Sequence, residues 1–172
     1  MLLQTNDIVY SYDTNVVPFL QNGIIIDTSI LDVIISGLIE SRFSKKENPE
    51  FQDIMTFLEL LKVSNKWEKF FITPHILTEV FNHFSNNYCI RSDFRRIVEE
   101  IVPIFRNINE ESIATKDAIL DWIDVANPVI HIGDISIYLT AEDFIKNGKK
   151  VAILADDLEL NSRYYNHPHV MV

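Results

Sequence analysis

Acidic residues occur at several points in the sequence where a predicted buried strand ends or the adjoining helix begins. These residues are Asp27, Glu79, Asp134 and the adjacent pair Asp156 and Asp157. In a sheet of parallel strands, the carboxyl ends of the strands and the neighbouring helix starts form the crevice where ligands bind. Acids that are far apart in the sequence are therefore expected to converge at one edge of the sheet.

Carboxylates brought together in this way favour one kind of chemistry. Four of them within a few ångströms of one another cannot all stay ionised without a counter-charge. The usual counter-charge is a hard divalent cation with oxygen ligands, Mg²⁺ or Mn²⁺. Such a cation polarises a phosphate, lowers the pKa of an attacking water and neutralises the leaving oxygen. The acids therefore indicate metal-dependent hydrolysis of phosphodiester bonds.

The elements that must position these acids can be predicted from apolar patterning. The runs 24–26 and 151–154 are rich in β-branched residues and show no alternation, which is typical of strands buried on both faces. Shorter strands are expected over 69–73 and 169–172. Helices alternate with the strands, and one of them has a strong start at Thr73-Pro74. This alternation predicts an α/β fold with a parallel sheet covered on both sides.

No break in composition indicates a second domain, so residues 1–172 are expected to form a single domain. Residues 1–20 are interpreted as an N-terminal extension. The segment 42–50 is charged and interrupted by Pro49, which is typical of an exposed loop. Two further helices are expected over about 91–106 and 112–124.

The sequence resembles the PIN-domain nuclease family in four motifs that follow one another in order. They are Ile-Ile-Ile-Asp27-Thr28-Ser29, Thr73-Pro74-His-Ile-Leu-Thr-Glu79-Val-Phe-Asn82, Ile132-Gly133-Asp134-Ile-Ser-Ile and Ile153-Leu154-Ala155-Asp156-Asp157-Leu158. These motifs span residues 24–158, most of the chain. The resemblance implies a three-layer α/β/α fold with a central parallel sheet and an Mg²⁺- or Mn²⁺-dependent ribonuclease activity.

The resemblance also implies which residues form the site. The catalytic and metal-binding acids are Asp27, Glu79, Asp134 and Asp157. Neighbouring side chains at the end of an extended strand point to opposite sides, so only one residue of the pair Asp156 and Asp157 can face Asp27. The family register favours Asp157, with Asp156 exposed or capping the following turn, and Asp156 is the alternative metal ligand. The family often has Ser or Thr two residues before the fourth acid, where this chain has Ala155.

The partners follow from the resemblance as well. The substrate is RNA, many small members of the family are toxins paired with an antitoxin protein, and dimerisation is frequent. An antitoxin and a homodimer are therefore expected partners, although this chain is longer than a typical toxin of the family. Thr28, Ser29 and Asn82 are candidates for contacts that support the acids, and helix capping explains Thr28 and Ser29 equally well.

Each acid also has a structural interpretation when it is considered alone. Asp27 and Asp134 fit helix starts, and Glu79 fits a solvated helix face. The pair Asp156 and Asp157 fits a turn, and Asp157 fits the cap of a short helix. Their occurrence together is what favours a site.

Histidines and arginines add weaker signals. His75, His83 and His131 lack zinc-ligand spacing and are interpreted as structural. The basic cluster Arg91, Arg95 and Arg96 is a candidate RNA contact, but Arg95 and Arg96 each precede a glutamate by four residues, so a salt-bridged helix face is favoured.

Two other functions fit parts of the pattern. A PIN-like protein that has lost or weakened catalysis and serves as a binding scaffold would keep the fold, and the negative net charge and Ala155 are compatible with it. A haloacid-dehalogenase-like phosphatase also places an Asp after its first buried strand, but it needs a second Asp two residues later, where this chain has Ser29.

Composition argues against several other classes of protein. The chain has 172 residues, 47% of them hydrophobic, which excludes a disordered protein. Its formal net charge is −10, which argues against a protein that coats nucleic acid electrostatically. A single cysteine and the lack of any long apolar run predict a cytoplasmic protein that does not enter membranes.

Overall fold

The computed structural model describes residues 2–5, 8–11, 16–123 and 131–172. Seven strands lie in these segments: β1 Leu2–Thr5, β2 Ile8–Ser11, β3 Ile24–Ile26, β4 Phe70–Ile72, β5 Asn109–Glu110, β6 Val151–Leu154 and β7 Val170–Met171. β1 and β2 form an antiparallel pair. The other five strands form one parallel sheet in the order β5-β4-β3-β6-β7. The expected α/β fold with a parallel sheet is confirmed.

The described helices alternate with these strands. They are α1 Val17–Leu20, α2 Thr28–Ile39, α3 Pro49–Leu60, α4 Pro74–Tyr88, α5 Phe94–Asn107, α6 Lys116–Ile123, α7 Ile132–Lys146 and α8 Leu158–Arg163. A π-helical segment, Glu40–Ser44, extends α2, and a short 3₁₀ turn, Trp67–Lys69, precedes β4. None of the described helices is both long and apolar enough to cross a bilayer.

The order of the strands places one particular crevice at the centre of the sheet. The chain moves from β3 outward to β4 and β5, and then returns across the sheet to β6 and β7. β3 and β6 are therefore neighbours whose connections leave in opposite directions, which is the topological switch point of a parallel sheet. Their register pairs Ile26 with Leu154, so both strands end at the same level. Residues that follow these two strands are expected at the mouth of one crevice.

Burial explains why these strands form the core. All three residues of β3 are buried, as are the first three of β6, so both sheet faces are covered here. α2 packs against α3 and α4, and α7 contacts both β3 and β6. Gly37 allows the close approach of α2 and α3, because a methyl group at this position would lie 2.1 Å from Cγ of Phe51.

Three element predictions need correction or completion. The segment 42–50 is a loop only over 45–48, because the π-helical segment runs to Ser44 and α3 already begins at Pro49, with Asn48 as its cap. The helix expected over 91–106 begins later, at Phe94, because Arg91 and Asp93 pair with each other in the preceding turn. Strand β5 was not predicted, since its two residues are exposed and polar and only backbone pairing with β4 makes it a strand.

Some predictions fall partly outside the described residues. The expected N-terminal extension, 1–20, includes residues 1, 6–7 and 12–15, which the structure does not describe. The helix expected over 112–124 is seen as α6 over 116–123, and residue 124 lies beyond the described part.

Candidate functional site

Asp27 connects the ends of the two central strands. Its backbone N–H donates a hydrogen bond of 3.0 Å to the carbonyl oxygen of Leu154, the last residue of β6. The half-buried side chain makes no capping bond to α2, although Asp27 occupies the cap position. Instead, its Oδ2 accepts a hydrogen bond of 2.7 Å from Oγ of Ser29. Asp27 therefore stands at a helix start, as its structural interpretation expects, but its side chain does not cap α2, and its carboxylate lies at the mouth of the central crevice.

Glu79 is held against the start of α2 and the start of α7. Oγ1 of the buried Thr28 donates a hydrogen bond of 3.1 Å to Oε2 of Glu79. A methyl group built on Gly133 would lie 3.3 Å from the same Oε2 atom. Glu79 is exposed on α4, yet its carboxylate is not freely solvated. It lies between the residue after Asp27 and the residue before Asp134.

The geometry around Gly133 is fixed by buried hydroxyl groups. Thr73 caps α4 by accepting a hydrogen bond of 3.3 Å from the N–H of Ile76, as expected from the sequence. Its Oγ1 also lies 2.7 Å from Oγ of Ser136, and both side chains are fully buried. Ser136 in turn donates a hydrogen bond of 2.6 Å to the carbonyl oxygen of Gly133. The first turns of α4 and α7 are thus joined through polar groups beside the acids.

Burial and the negative charges of other acids change the pKa of Asp134. It lies half-buried in the first turn of α7, which begins at Ile132, two residues earlier. Burial raises the pKa of its carboxyl above the ordinary value, and the charges of Asp27 and Asp157 raise it further. A backbone hydrogen bond and the proximity of His131 oppose this shift. Asp27, Asp134 and Asp157 therefore share one electrostatic environment.

The pair Asp156 and Asp157 is divided between two surroundings. Asp157 acts on Asp134, and its Oδ1 accepts a hydrogen bond of 2.9 Å from the N–H of Leu160. Asp156 is exposed and lines a cavity of about 930 Å³ that α1, α3, β6 and β7 surround. Asp157 is thus the residue that both faces the acids and caps α8. Asp156 is exposed, as one of the two expected alternatives for it predicts.

Asp27, Glu79, Asp134 and Asp157 are called the acidic cluster below. A second pair of side chains lies beside this cluster, along the α2–α4 contact. His83 Nδ1 and Asp32 Oδ2 form a hydrogen-bonded pair. Asp32 lies four residues after Thr28 on α2, and His83 lies four residues after Glu79 on α4. The two helices are consequently joined by two successive links, Thr28–Glu79 and Asp32–His83.

Sequence reasoning missed Asp32 and interpreted His83 as merely structural. Burial raises the pKa of Asp32, and so do the charges of Glu79 and Asp27, while His83 opposes the rise. The signal that could have found the pair is the shared spacing: each residue lies one helical turn beyond a residue already assigned to the site.

Of the three predicted supporting residues, Thr28, Ser29 and Asn82, two contact the acids. Thr28 and Ser29 each donate a hydrogen bond to a predicted acid. Asn82 is exposed on α4, and within the described part of the chain no hydrogen bond joins it to the acids. Thr28 and Ser29 thus support the site, and Asn82 stays a prediction.

The basic cluster is largely engaged in pairs of its own. Arg91 makes two hydrogen bonds to Asp93, of 2.9 and 2.8 Å, and Arg95 pairs with Glu99 at 3.2 Å. Arg96 does not pair with Glu100 as expected; it lies over the ring of Phe43, 5.7 Å from the centroid. Glu100 pairs with Arg42 from the π-helical segment instead. The salt-bridged interpretation is confirmed for Arg95 and corrected for Arg96.

The donor set suits a hard cation, although its side chains are not drawn together around one point. Carboxylate oxygens are the ligands that Mg²⁺ and Mn²⁺ prefer. The raised pKa of Asp134 reflects its burial first and then the charges of Asp27 and Asp157, which a bound cation would offset. Within the described residues, no group of three His, Cys, Asp or Glu side chains is already arranged to hold a metal ion. Cation binding would therefore have to pull the carboxylates inward.

Comparison with protein-family models, with curated proteins and with solved structures finds no match to this chain.

Proposed function

We propose that this protein is a metal-dependent endoribonuclease with a three-layer, PIN-like α/β/α architecture. It would hydrolyse phosphodiester bonds of single-stranded RNA with Mg²⁺ or Mn²⁺. The observation that supports this most is the position of Glu79. Its Oε2 atom accepts a hydrogen bond from Thr28 and lies beside Gly133, so a single carboxylate links the residues next to Asp27 and Asp134.

Two further observations support a shared metal site. Asp27 and Asp157 follow β3 and β6, the neighbouring strands at the topological switch point where parallel sheets bind ligands. Asp134 lies within electrostatic reach of both of these acids. Because these positions belong to four separate segments of the chain, the capping of any single helix does not explain why all four lie near this part of the sheet.

Each residue of the site would have its own role. Asp27, Glu79, Asp134 and Asp157 would hold the cation. When bound, Mg²⁺ or Mn²⁺ supplies Lewis-acid polarisation of the phosphate and lowers the pKa of the attacking water. Ser29 orients Asp27 and Thr28 orients Glu79 through their hydrogen bonds. The RNA partner, an antitoxin protein and a homodimer stay predictions from the family resemblance.

One observation favours a second candidate, a PIN-like scaffold with little or no catalysis. The described residues hold no ready-made group of three metal-binding side chains. In a scaffold, the acids would stay apart when Mn²⁺ is added. In a nuclease, they would close on the cation.

The experiment that tests the proposal is cleavage of a mixed-sequence, single-stranded oligoribonucleotide with Mn²⁺, with Mg²⁺ and with excess chelator. We expect cleavage with either metal, loss of cleavage with the chelator, and loss of cleavage in Asp27→Asn. The matched control is Asp53→Asn, a substitution on α3 outside the acidic cluster. Cleavage that persists in the chelator or in Asp27→Asn, or no cleavage by the unaltered protein, would overturn the proposal.

A further inference from the structure

The Asp32–His83 pair has the arrangement of a proton-transfer dyad. The imidazole bonds to the carboxylate through Nδ1, so Nε2 lies on the opposite side of the ring. The carboxylate partner is partly buried, with 28% of its side chain exposed, whereas His83 is 47% exposed and accessible to a ligand. A carboxylate on Nδ1 fixes the ring orientation and stabilises the protonated imidazolium.

The position of the dyad relates it directly to the proposed active site. His83 lies one helical turn beyond Glu79 on α4, and Asp32 lies one turn beyond Thr28 on α2. Both Glu79 and Asp27 influence the charge of Asp32. The dyad therefore borders the acidic cluster along the α2–α4 contact, and neither of its members is among the acids that we propose to hold the cation.

From this geometry we propose that His83, oriented by Asp32, donates the proton to the leaving ribose oxygen during phosphodiester hydrolysis. This inference rests on the proposed function, and it assigns to the site a general acid that the four carboxylates do not provide. Asp32 is then a positioning residue, because it acts through His83.

The proton balance of this step is complete. Water adds to phosphorus and loses one proton to bulk solvent. The P–O bond to the leaving ribose oxygen breaks, and that oxygen takes the proton from Nε2 of His83. His83 regains a proton from solvent, so one product carries the phosphate, the other a hydroxyl group, and the net reaction consumes one water.

The electrostatic surroundings of His83 suit a proton donor. The hydrogen bond to Asp32 on α2 raises the pKa of the imidazole, burial opposes this rise, and the charges of Asp32 and of Glu79 on α4 add to it, so that the net shift is upward. Acidic side chains on both helices of the α2–α4 contact thus favour the protonated imidazolium of His83. A group with an ordinary pKa near 6.5 is shifted toward protonation at neutral pH.

The closing experiment compares two substrates that differ in their need for a proton. The first is the single-stranded oligoribonucleotide, whose ribose leaving group must be protonated. The second is bis(p-nitrophenyl) phosphate, whose p-nitrophenolate leaves without a proton. Both are measured with saturating Mn²⁺ for the unaltered protein, His83→Gln, Asp32→Asn and Asp27→Asn. Asn86→Ala, an exposed change further along α4, is the matched control.

We expect His83→Gln to lower kcat for RNA by about 10²-fold, the usual contribution of a general acid, and kcat for the nitrophenyl ester by less than about threefold. The alkaline limb of the pH profile of kcat for RNA should disappear in this variant. Asp32→Asn should lower kcat for RNA by about tenfold and move that limb to lower pH, because the imidazolium loses its negative partner. The melting temperature of His83→Gln should stay close to that of the unaltered protein.

The outcomes separate this inference from the proposed function. Suppose that Asp27→Asn abolishes RNA cleavage while His83→Gln affects both substrates equally or neither. The proposed nuclease function is then kept, and the role of His83 as proton donor is refuted. If the unaltered protein cleaves neither substrate, both the proposed nuclease function and the proposed role of His83 are refuted.

Discussion

Asp157 combines a structural contact with a proposed catalytic one in a single side chain. Its Oδ1 atom caps the start of α8 by accepting the N–H of Leu160, and its charge also reaches Asp134. Asparagine caps a helix about as well as aspartate does. The Asp157→Asn substitution therefore removes the negative charge and leaves the cap in place.

We expect Asp157→Asn to lower RNA cleavage at saturating Mn²⁺ by at least about tenfold, or about 1.4 kcal/mol of barrier, with little change in melting temperature. Asp156→Asn is the matched control and should keep nearly full activity, because Asp156 is exposed and faces another cavity. Parallel rate measurements on the two variants decide which of the two residues is the fourth acid. A loss of activity in Asp156→Asn alone would show that it is Asp156 and not Asp157.

Asp134 should destabilise the metal-free protein at neutral pH. Its pKa in the folded state is raised above 3.8, so the fold favours the protonated form. Unfolding relieves this unfavourable ionisation, and stability is therefore lost as the pH rises from 3.8 through the folded pKa. Asp134→Asn should raise the melting temperature at pH 7 in chelator by about 1–3 °C, and the gain should shrink as the pH falls toward 3.8.

Thermal denaturation of Asp134→Asn, Asp156→Asn and the unaltered protein at pH 7 and pH 4 tests this expectation. Asp156→Asn should show no comparable gain, since Asp156 does not act on Asp134. A lower melting temperature for Asp134→Asn at pH 7, or an equal gain at both pH values, would contradict the unfavourable ionisation of Asp134 that its burial and the neighbouring acids produce.

At the scale of elements, the site depends on how closely the start of α7 approaches α4. A methyl group at Gly133 would lie 3.3 Å from Oε2 of Glu79, so the carboxylate would have to shift by a few tenths of an ångström. Alanine is a better helix former than glycine by up to about 1 kcal/mol. We expect Gly133→Ala to keep or raise the melting temperature and to lower RNA cleavage by about tenfold.

Gly37→Ala is the comparison for Gly133→Ala, because it also introduces a methyl group at a helix contact. Here the methyl group would lie 2.1 Å from Cγ of Phe51, inside the α2–α3 contact. Overpacking of this kind costs about 1–3 kcal/mol, so this variant should melt at lower temperature and keep its activity per folded molecule. If Gly133→Ala were fully active, the tight placement of Glu79 would not matter for catalysis.

The elements also show how far sequence reasoning reaches. The buried runs that became β3 and β6 and the Thr73 cap were predicted because burial on both faces and capping leave local signatures. Strand β5 has no such signature, because only its backbone pairs with β4.

The Asp32–His83 pair leaves only a spacing signal in the sequence, one helical turn beyond Thr28 and Glu79, and spacing does not show which helix faces meet. Each residue alone resembles a surface residue on an amphipathic helix, and only the packing of α2 against α4 brings the two together. The acids at strand ends could be predicted from position, whereas a contact between two helix faces could not.

At the scale of the whole molecule, the strand order connects the fold to the proposed activity. The switch point between β3 and β6 gathers residues that follow both strands, and the first turns of α4 and α7 close around it. A net charge of −10 makes the protein as a whole unattractive to RNA, so a cation in this crevice would have to provide much of the local attraction. Binding of that cation is therefore the central requirement of the account.

The most direct test is a Mn²⁺ titration followed by the electron paramagnetic resonance signal of free Mn²⁺. The account predicts saturable binding by the unaltered protein, binding weakened by about tenfold or more in Asp134→Asn, which corresponds to about 1.4 kcal/mol, and unchanged binding in Asp156→Asn. Circular dichroism of each variant verifies that it is folded. The absence of saturable binding in the unaltered protein, or equal binding in all three proteins, would contradict the account.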